Sequence, residues 1–150
     1  MSSDSDELIA GPSLVDRMVE LARAKPSDHV TIASRDVELL IDLLKHGFAQ
    51  AACAAPNGAP MLETADLLLI PDTTSLRSFE LTLDRLCRHL QAGGTIVVHD
   101  AQAGHCRRRR QIRQILLQHG LAPVGECACG QGVLMSACKG AAVAQLRSAA

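Results

Sequence analysis

Hydrophobic and polar positions along this chain switch repeatedly between a helical period and short unbroken apolar runs. That alternation is the pattern of helices interleaved with buried strands. Leu14, Met18, Leu21 and Ala22 mark one face of a first helix, which Ser13 can cap and Pro26-Ser27-Asp28 ends. His29–Ala33 is a short β-prone run. After the turn Ser34-Arg35-Asp36, Val37, Leu40, Ile41, Leu44 and Phe48 fall at helical spacing, with Gly47 at the stop. Ala49–Ala54 reads as a small apolar strand, 55–64 as a loop holding Pro56, Gly58 and Pro60, and Ala65–Ile70 as a buried strand closed by Pro71.

Asp72-Thr73-Thr74-Ser75 is capping chemistry for the next helix, whose apolar face is Leu76, Phe79, Leu83, Leu86, Cys87 and Leu90. This amphipathic stretch is expected to stop at Gly93-Gly94, followed by a buried strand over Thr95–Val98 and the polar loop His99-Asp100. Arg107–His119 predicts a helix with Ile112, Ile115 and Leu116 inward, closed by Gly120. Pro123–Ala128 and Gly132–Lys139 predict a hairpin around Gly130-Gln131-Gly132. The order predicts an α/β fold: a Rossmann-like three-layer sandwich with a mostly parallel sheet of about six strands ending in an antiparallel hairpin. Residues 1–10 are expected to form a disordered leader, 11–140 a single domain, and 141–150 a flexible or frayed helical tail.

Composition narrows the function. The 150 residues carry a net charge of −1 and are 47% hydrophobic, enough for one substantial core. Phe48 and Phe79 are the only aromatics of the Phe, Tyr and Trp class. Without a basic surface overall or a set of stacking rings, nucleic acid is not the expected partner. The first seven residues do not resemble a signal peptide, and no apolar run approaches the ~20 residues needed to span a bilayer. A soluble cytoplasmic protein is therefore expected, with no membrane partner. Its six cysteines, which form no C-x-x-C pair, are expected to be reduced and to pack as small apolar residues. His99, Asp100, His105 and Cys106 offer metal-binding chemistry, but their spacing matches no ligand pattern, so no metal is expected.

Three stretches resemble the class I S-adenosylmethionine (SAM)-dependent methyltransferases. Pro26-Ser27-Asp28-His29-Val30 is similar to that family's lead-in to its first strand. Leu90-Gln91-Ala92-Gly93-Gly94-Thr95-Ile96-Val97-Val98 is similar to its fifth-strand signature. Gln118-His119-Gly120-Leu121 is similar to the element before its closing antiparallel strands. The resemblance covers about Leu14 to Lys139. It implies a site for SAM at the strand ends, built on a glycine-rich turn after the first strand and an acidic residue after the second. Here the turn is Ala33-Ser34-Arg35-Asp36-Val37, with no glycine, and the second strand ends Ala52-Cys53-Ala54-Ala55, with no carboxylate. Ten residues, 55–64, are too few for the family's next helix and strand, so the sheet is expected to lack the outer strand.

Ser34, Arg35 and Asp36 are thus the remains of a cofactor site, and no cofactor is expected. Asp72, His99 and Asp100, at other strand ends, are candidate catalytic residues; helix capping is the competing role for Asp72. Arg107, Arg109, Arg110 and Arg113 are the candidate docking face for a protein partner. An uncharged edge strand at Ala49–Ala54 also invites self-pairing, so a homodimer is a second expectation. The expected function is that of a non-catalytic methyltransferase-fold protein acting as a regulatory or scaffold binding module. The alternatives are a divergent SAM-dependent methyltransferase and a small-molecule sensor using the strand-end cleft.

Overall fold

Capping side chains set where the helices begin. The structure, a computed structural model, describes residues 13–34, 36–54, 64–73, 75–102, 106–130 and 132–140. Helix α1 (Leu14–Ala22) opens with a reciprocal box: Ser13 Oγ accepts the Asp16 N–H and the Asp16 carboxylate accepts the Ser13 N–H. Strand β1 (Val30–Ile32) leads into α2 (Val37–Lys45), which Asp36 caps by accepting the Glu38 N–H at 3.0 Å. Then come β2 (Ala51–Cys53), β3 (Ala65–Ile70) and α3 (Leu76–Leu86), whose cap is Ser75. A single 3-10 turn, Cys87–His89, joins α3 to β4 (Leu90–Asp100). Helix α4 (Cys106–Gln118) and the hairpin of β5 (Leu121–Cys129) and β6 (Gly132–Lys139) complete the described chain.

The six strands form one sheet in the order β2-β1-β3-β4-β6-β5. The first four are parallel; β6 is antiparallel to β4, and β5 to β6. Alternating side chains feed two cores, because a central strand buried on both faces is apolar at every position. Leu67, Leu69, Val97 and Leu134 face Val15 and Met18 of α1 and Leu43 of α2. Leu68, Ile70, Ile96, Val98 and Met135 face Phe79 and Leu83 of α3 and Ile112 and Leu116 of α4. Helices on both faces give the three-layer α/β sandwich predicted from the pattern. Among the described residues β2 is one edge of the sheet and β5 the other.

Four expectations need correction. The helix does not run to Gly93-Gly94: α3 ends at Leu86, and Leu90 is already paired with Ala65 in the sheet. The next pair is Leu67 with Thr95, so Gln91–Gly94 bulge out of β4 opposite a single residue of β3. Gly93, at φ +83°, makes that bulge possible. His99 and Asp100 belong to β4, paired with Leu134 and Val133, and are not a loop. In α2 the inward residue is Leu43; Val37, Ile41 and Leu44 are exposed, at 59%, 44% and 48%. Of the cysteines only Cys87 is buried, while Cys106 and Cys127 are exposed. The predicted leader and tail, and most of 55–64, lie outside the described residues.

Candidate functional site

In an open α/β sheet, ligands bind outside the carboxyl ends of the strands, where successive crossovers leave in opposite directions. Here β1 connects outward to β2, and β3 lies on the other side of β1, so the switch point falls between β1 and β3. The residues that surround it are Ser34 and Asp36 after β1, Asp72 and Thr73 after β3, and His99 and Asp100 at the end of β4.

After β1 the chain turns tightly on its own groups. The Ser34 N–H donates to the Ile32 carbonyl at 2.9 Å, and Ser34 Oγ accepts the Asp36 N–H at 3.0 Å. One Asp36 oxygen caps α2. Arg35 lies outside the described residues. At the end of β2 the Ala54 N–H donates to Ile32 O at 2.8 Å and its side chain is packed into the core. Cys53 is half-buried, and its thiol is pushed above the ordinary thiol range first by burial and then by the nearby Asp36 carboxylate. The sequence at the end of β2, Ala52-Cys53-Ala54-Ala55, supplies no carboxylate of its own.

The ends of β3 and β4 are tied together by one arginine. Asp100, 1% exposed, accepts Arg108 Nε at 2.6 Å on one oxygen and the Gln102 N–H at 2.7 Å on the other. Arg108 Nη2 donates to the Thr73 carbonyl at 3.0 Å, so the guanidinium clamps α4 against both strand ends. His99 is half-buried with Nδ1 3.0 Å from the Pro71 carbonyl; a carbonyl only accepts, so Nδ1 donates in this contact, and Nε2 has no hydrogen-bond partner among the described residues. Asp72 is exposed. Thr73 is 4% exposed, and its Oγ1 has no hydrogen-bond partner among the described residues.

His99 and Asp100 lie at this edge as the last residues of β4, and not as a free acid–base pair. Arg108 and Thr73 were not singled out from the sequence. Arg108 was findable: it precedes Ile112 by four residues and Ile115 by seven, so it shares their inward face. The predicted docking arginines divide. Arg107 and Arg110 are exposed on α4. Arg113 pairs with Glu126 on β5, and Arg109 lies 3.9 Å from the same carboxylate. His105 lies outside the described residues. Among the described residues, no three His, Cys, Asp or Glu side chains converge as a ligand set for a metal ion.

No family model matches the sequence, and no curated protein matches it. Solved structures do match. Ribosomal protein L11 methylase from Lactobacillus delbrueckii subsp. bulgaricus aligns with a TM-score of 0.64 at 13% identity, over 85% of this chain and 77% of that one. The N-methyltransferase NodS from Bradyrhizobium japonicum WM9, in complex with S-adenosyl-L-homocysteine, aligns at 0.58 with 14% identity, over 83% and 85%. Human N-acetylserotonin methyltransferase, in complex with SAM, aligns at 0.60 with 13% identity, over 83% of this chain and 51% of that one. Identities this low speak to architecture, and the architecture is consistent across them: the chain has the class I SAM-dependent methyltransferase fold.

Proposed function

We propose that this protein uses the methyltransferase fold as a binding module and does not transfer methyl groups. One observation carries the reading: both Asp100 oxygens are taken by Arg108 and the Gln102 N–H, one Asp36 oxygen caps α2, Ser34 Oγ closes the turn after β1, and His99 Nδ1 is held by the Pro71 carbonyl. A cofactor held in the family's usual way needs free backbone N–H groups after β1 and a carboxylate after β2. The Ser34 and Asp36 N–H groups are internally bonded, and the end of β2 offers alanine and cysteine. These residues do not fit SAM, so no step of chemistry is routed through it.

Calorimetric titration with SAM and with S-adenosyl-L-homocysteine tests the reading. The expected result is no saturable heat up to millimolar nucleoside; micromolar binding of either would overturn it in favour of a divergent methyltransferase. The partner we propose is a protein with an acidic surface, docking on the exposed Arg107 and Arg110 at the first turn of α4. Cations at a helix N-terminus oppose the macrodipole, so their clustering there has no stabilising role in α4 itself. Arg107→Glu with Arg110→Glu should abolish co-purification of such a partner without lowering the melting transition, since carboxylates suit a helix N-terminus; retained co-purification would remove this face from the proposal.

A further inference from the structure

The face of the sheet that carries α1 is only partly covered by it. Beside the helix, over β4, β6 and β5, lies a groove of about 830 Å³. It lies against Thr95 of β4 and its β6 partner Cys138, and extends along Ser136 of β6 and Cys127 of β5. Its floor is largely apolar and includes Leu21 of α1 and Val124 of β5, the latter 67% exposed. Gly125, without a side chain, keeps the floor low: a Cβ there would stand 3.4 Å from Ser136 Oγ and 3.6 Å from Leu21 Cδ1.

The helix side of the groove is charged and under strain. Arg17, Glu20 and Arg23 line it, and none of the three makes an ion pair among the described residues. Arg17 reaches only the Ala128 carbonyl, at 3.4 Å. Arg23 ends α1 in the left-handed conformation, at φ 54° and ψ 43°, and is the only non-glycine residue with positive φ among those described. Glycine fills such a position at lower cost. An arginine there places a guanidinium with no ion-pair partner among the described residues beside an apolar groove, at the expense of backbone strain.

The chain itself contains a segment of matching chemistry. Asp4-Ser5-Asp6-Glu7-Leu8-Ile9 carries three carboxylates beside two aliphatic side chains, and residues 1–12 hold no Lys or Arg. The linkage permits the contact. Gly11-Pro12 is turn-forming chemistry immediately before the Ser13 cap of α1. The nine residues of α1 span about 13 Å, whereas six extended residues reach about 20 Å. A tethered segment also acts at an effective concentration on the order of millimolar, so even a weak contact is occupied. We propose that residues 4–9, which lie outside the described residues, dock in this groove, with their carboxylates against Arg17 and Arg23 and with Leu8 and Ile9 over the floor. The inference is independent of the strand-end reading above.

Cys127 lines the groove and Cys106 lies on α4, on the other face of the sheet, so the protein carries its own reporter and control. The experiment is maleimide labelling of the full chain, resolved cysteine by cysteine by mass spectrometry. Asp4→Lys/Asp6→Lys/Glu7→Lys should label Cys127 about ten-fold faster than the parent, as should Arg17→Glu/Arg23→Glu, with Cys106 unchanged in both. Combining the two sets restores opposite charges and should return the slow rate. Equal Cys127 rates in the parent and the Lys variant would overturn the proposal. So would slow labelling that persists in the Lys variant, which would mean that another occupant covers the groove. If the Arg17→Glu/Arg23→Glu chain fails to fold by circular dichroism, the Lys variant decides alone, because it leaves every described residue unchanged.

Discussion

Replacing Arg108 with Met tests whether the strand-end polar cluster is structural. Met keeps an unbranched apolar stem of similar reach but removes both donated hydrogen bonds. Asp100 would then be a carboxylate with 1% of its surface exposed, retaining only the Gln102 N–H, and the Thr73 carbonyl would lose its donor. Removing one partner of a fully buried ion pair costs about 3–5 kcal/mol, because the remaining charge stays desolvated. The Arg108 side chain is 16% exposed, which puts this pair near the lower end, and the lost bond to Thr73 adds about 1 kcal/mol. We expect Arg108→Met to lower unfolding free energy by about 3–4 kcal/mol in urea titrations at neutral pH, with an unchanged slope. The same deficit should lower Tm by roughly 10 °C. Arg108→Met with Asp100→Asn removes the stranded charge and should recover about half of the loss. A cost below about 1 kcal/mol for Arg108→Met would refute the reasoning. Asp100 would then be free to work as an acid or base, and the non-catalytic reading would lose its main support.

Further outcomes follow from the same contacts. Gly132→Ala places a Cβ 2.5 Å from the Asp100 carbonyl oxygen and 2.8 Å from Ala101 Cα, both backbone atoms that cannot swing aside. It should cost about 2–3 kcal/mol in urea titrations, and a loss below about 0.5 kcal/mol would show that the β4–β6 contact gives way freely. Two histidines make stability fall with rising pH. His46 is raised above its ordinary value by the Asp42 carbonyl and then by Asp16; His119 is raised although burial opposes it, because the Ile115 carbonyl and Asp84 outweigh that. Their contribution is fully present below about pH 6.5 and is lost as pH rises through the folded-state values. The urea midpoint should therefore drop between about pH 6 and pH 8, and His46→Gln with His119→Gln should flatten that slope; a midpoint that rises would contradict the pairing. Cys87 is buried and its thiol is pushed up by burial, with Lys139 offsetting only part. It should react with a maleimide only on the time scale of unfolding, and labelling as fast as that of Cys106 would contradict its burial.

The sequence revealed most where a pattern admitted one solution. The run Ala65–Ile70 is apolar at nearly every position and bounded by proline, and it is β3 residue for residue. Gly132–Lys139 behaves in the same way. It revealed less where two periods coincide. Leu90 lies four residues beyond Leu86, so helical spacing claims it, yet its side chain is buried as the first residue of a strand. The helix had already ended in a 3-10 turn with no glycine or proline to mark the place. In α2 five of nine residues are Leu or Ile, so periodicity cannot choose the inward side. That choice is tertiary: Leu43 and Phe48 pack with Val15 and Met18 of α1, which leaves Val37, Ile41 and Leu44 outward.

The candidate site shows the same division at the level of chemistry. Sequence position alone put Asp72, His99 and Asp100 at strand ends, which is where catalytic groups sit on this fold. What a carboxylate does there depends on what it faces, and that is fixed by a residue eight positions away on another element. Arg108 looked like one of four equivalent arginines. Helical phase turns it inward while Arg107 and Arg110 stay exposed. The inward arginine converts Asp100 from a possible base into the anchor of a clamp between β3, β4 and α4. Arg107 and Arg110, left exposed, form the face on which we propose that a partner docks. A fold shared with methyltransferases is thus compatible with two outcomes at one edge, and the stability cost of Arg108→Met, rather than the order of strands, is the measurement that bears on which one this chain has.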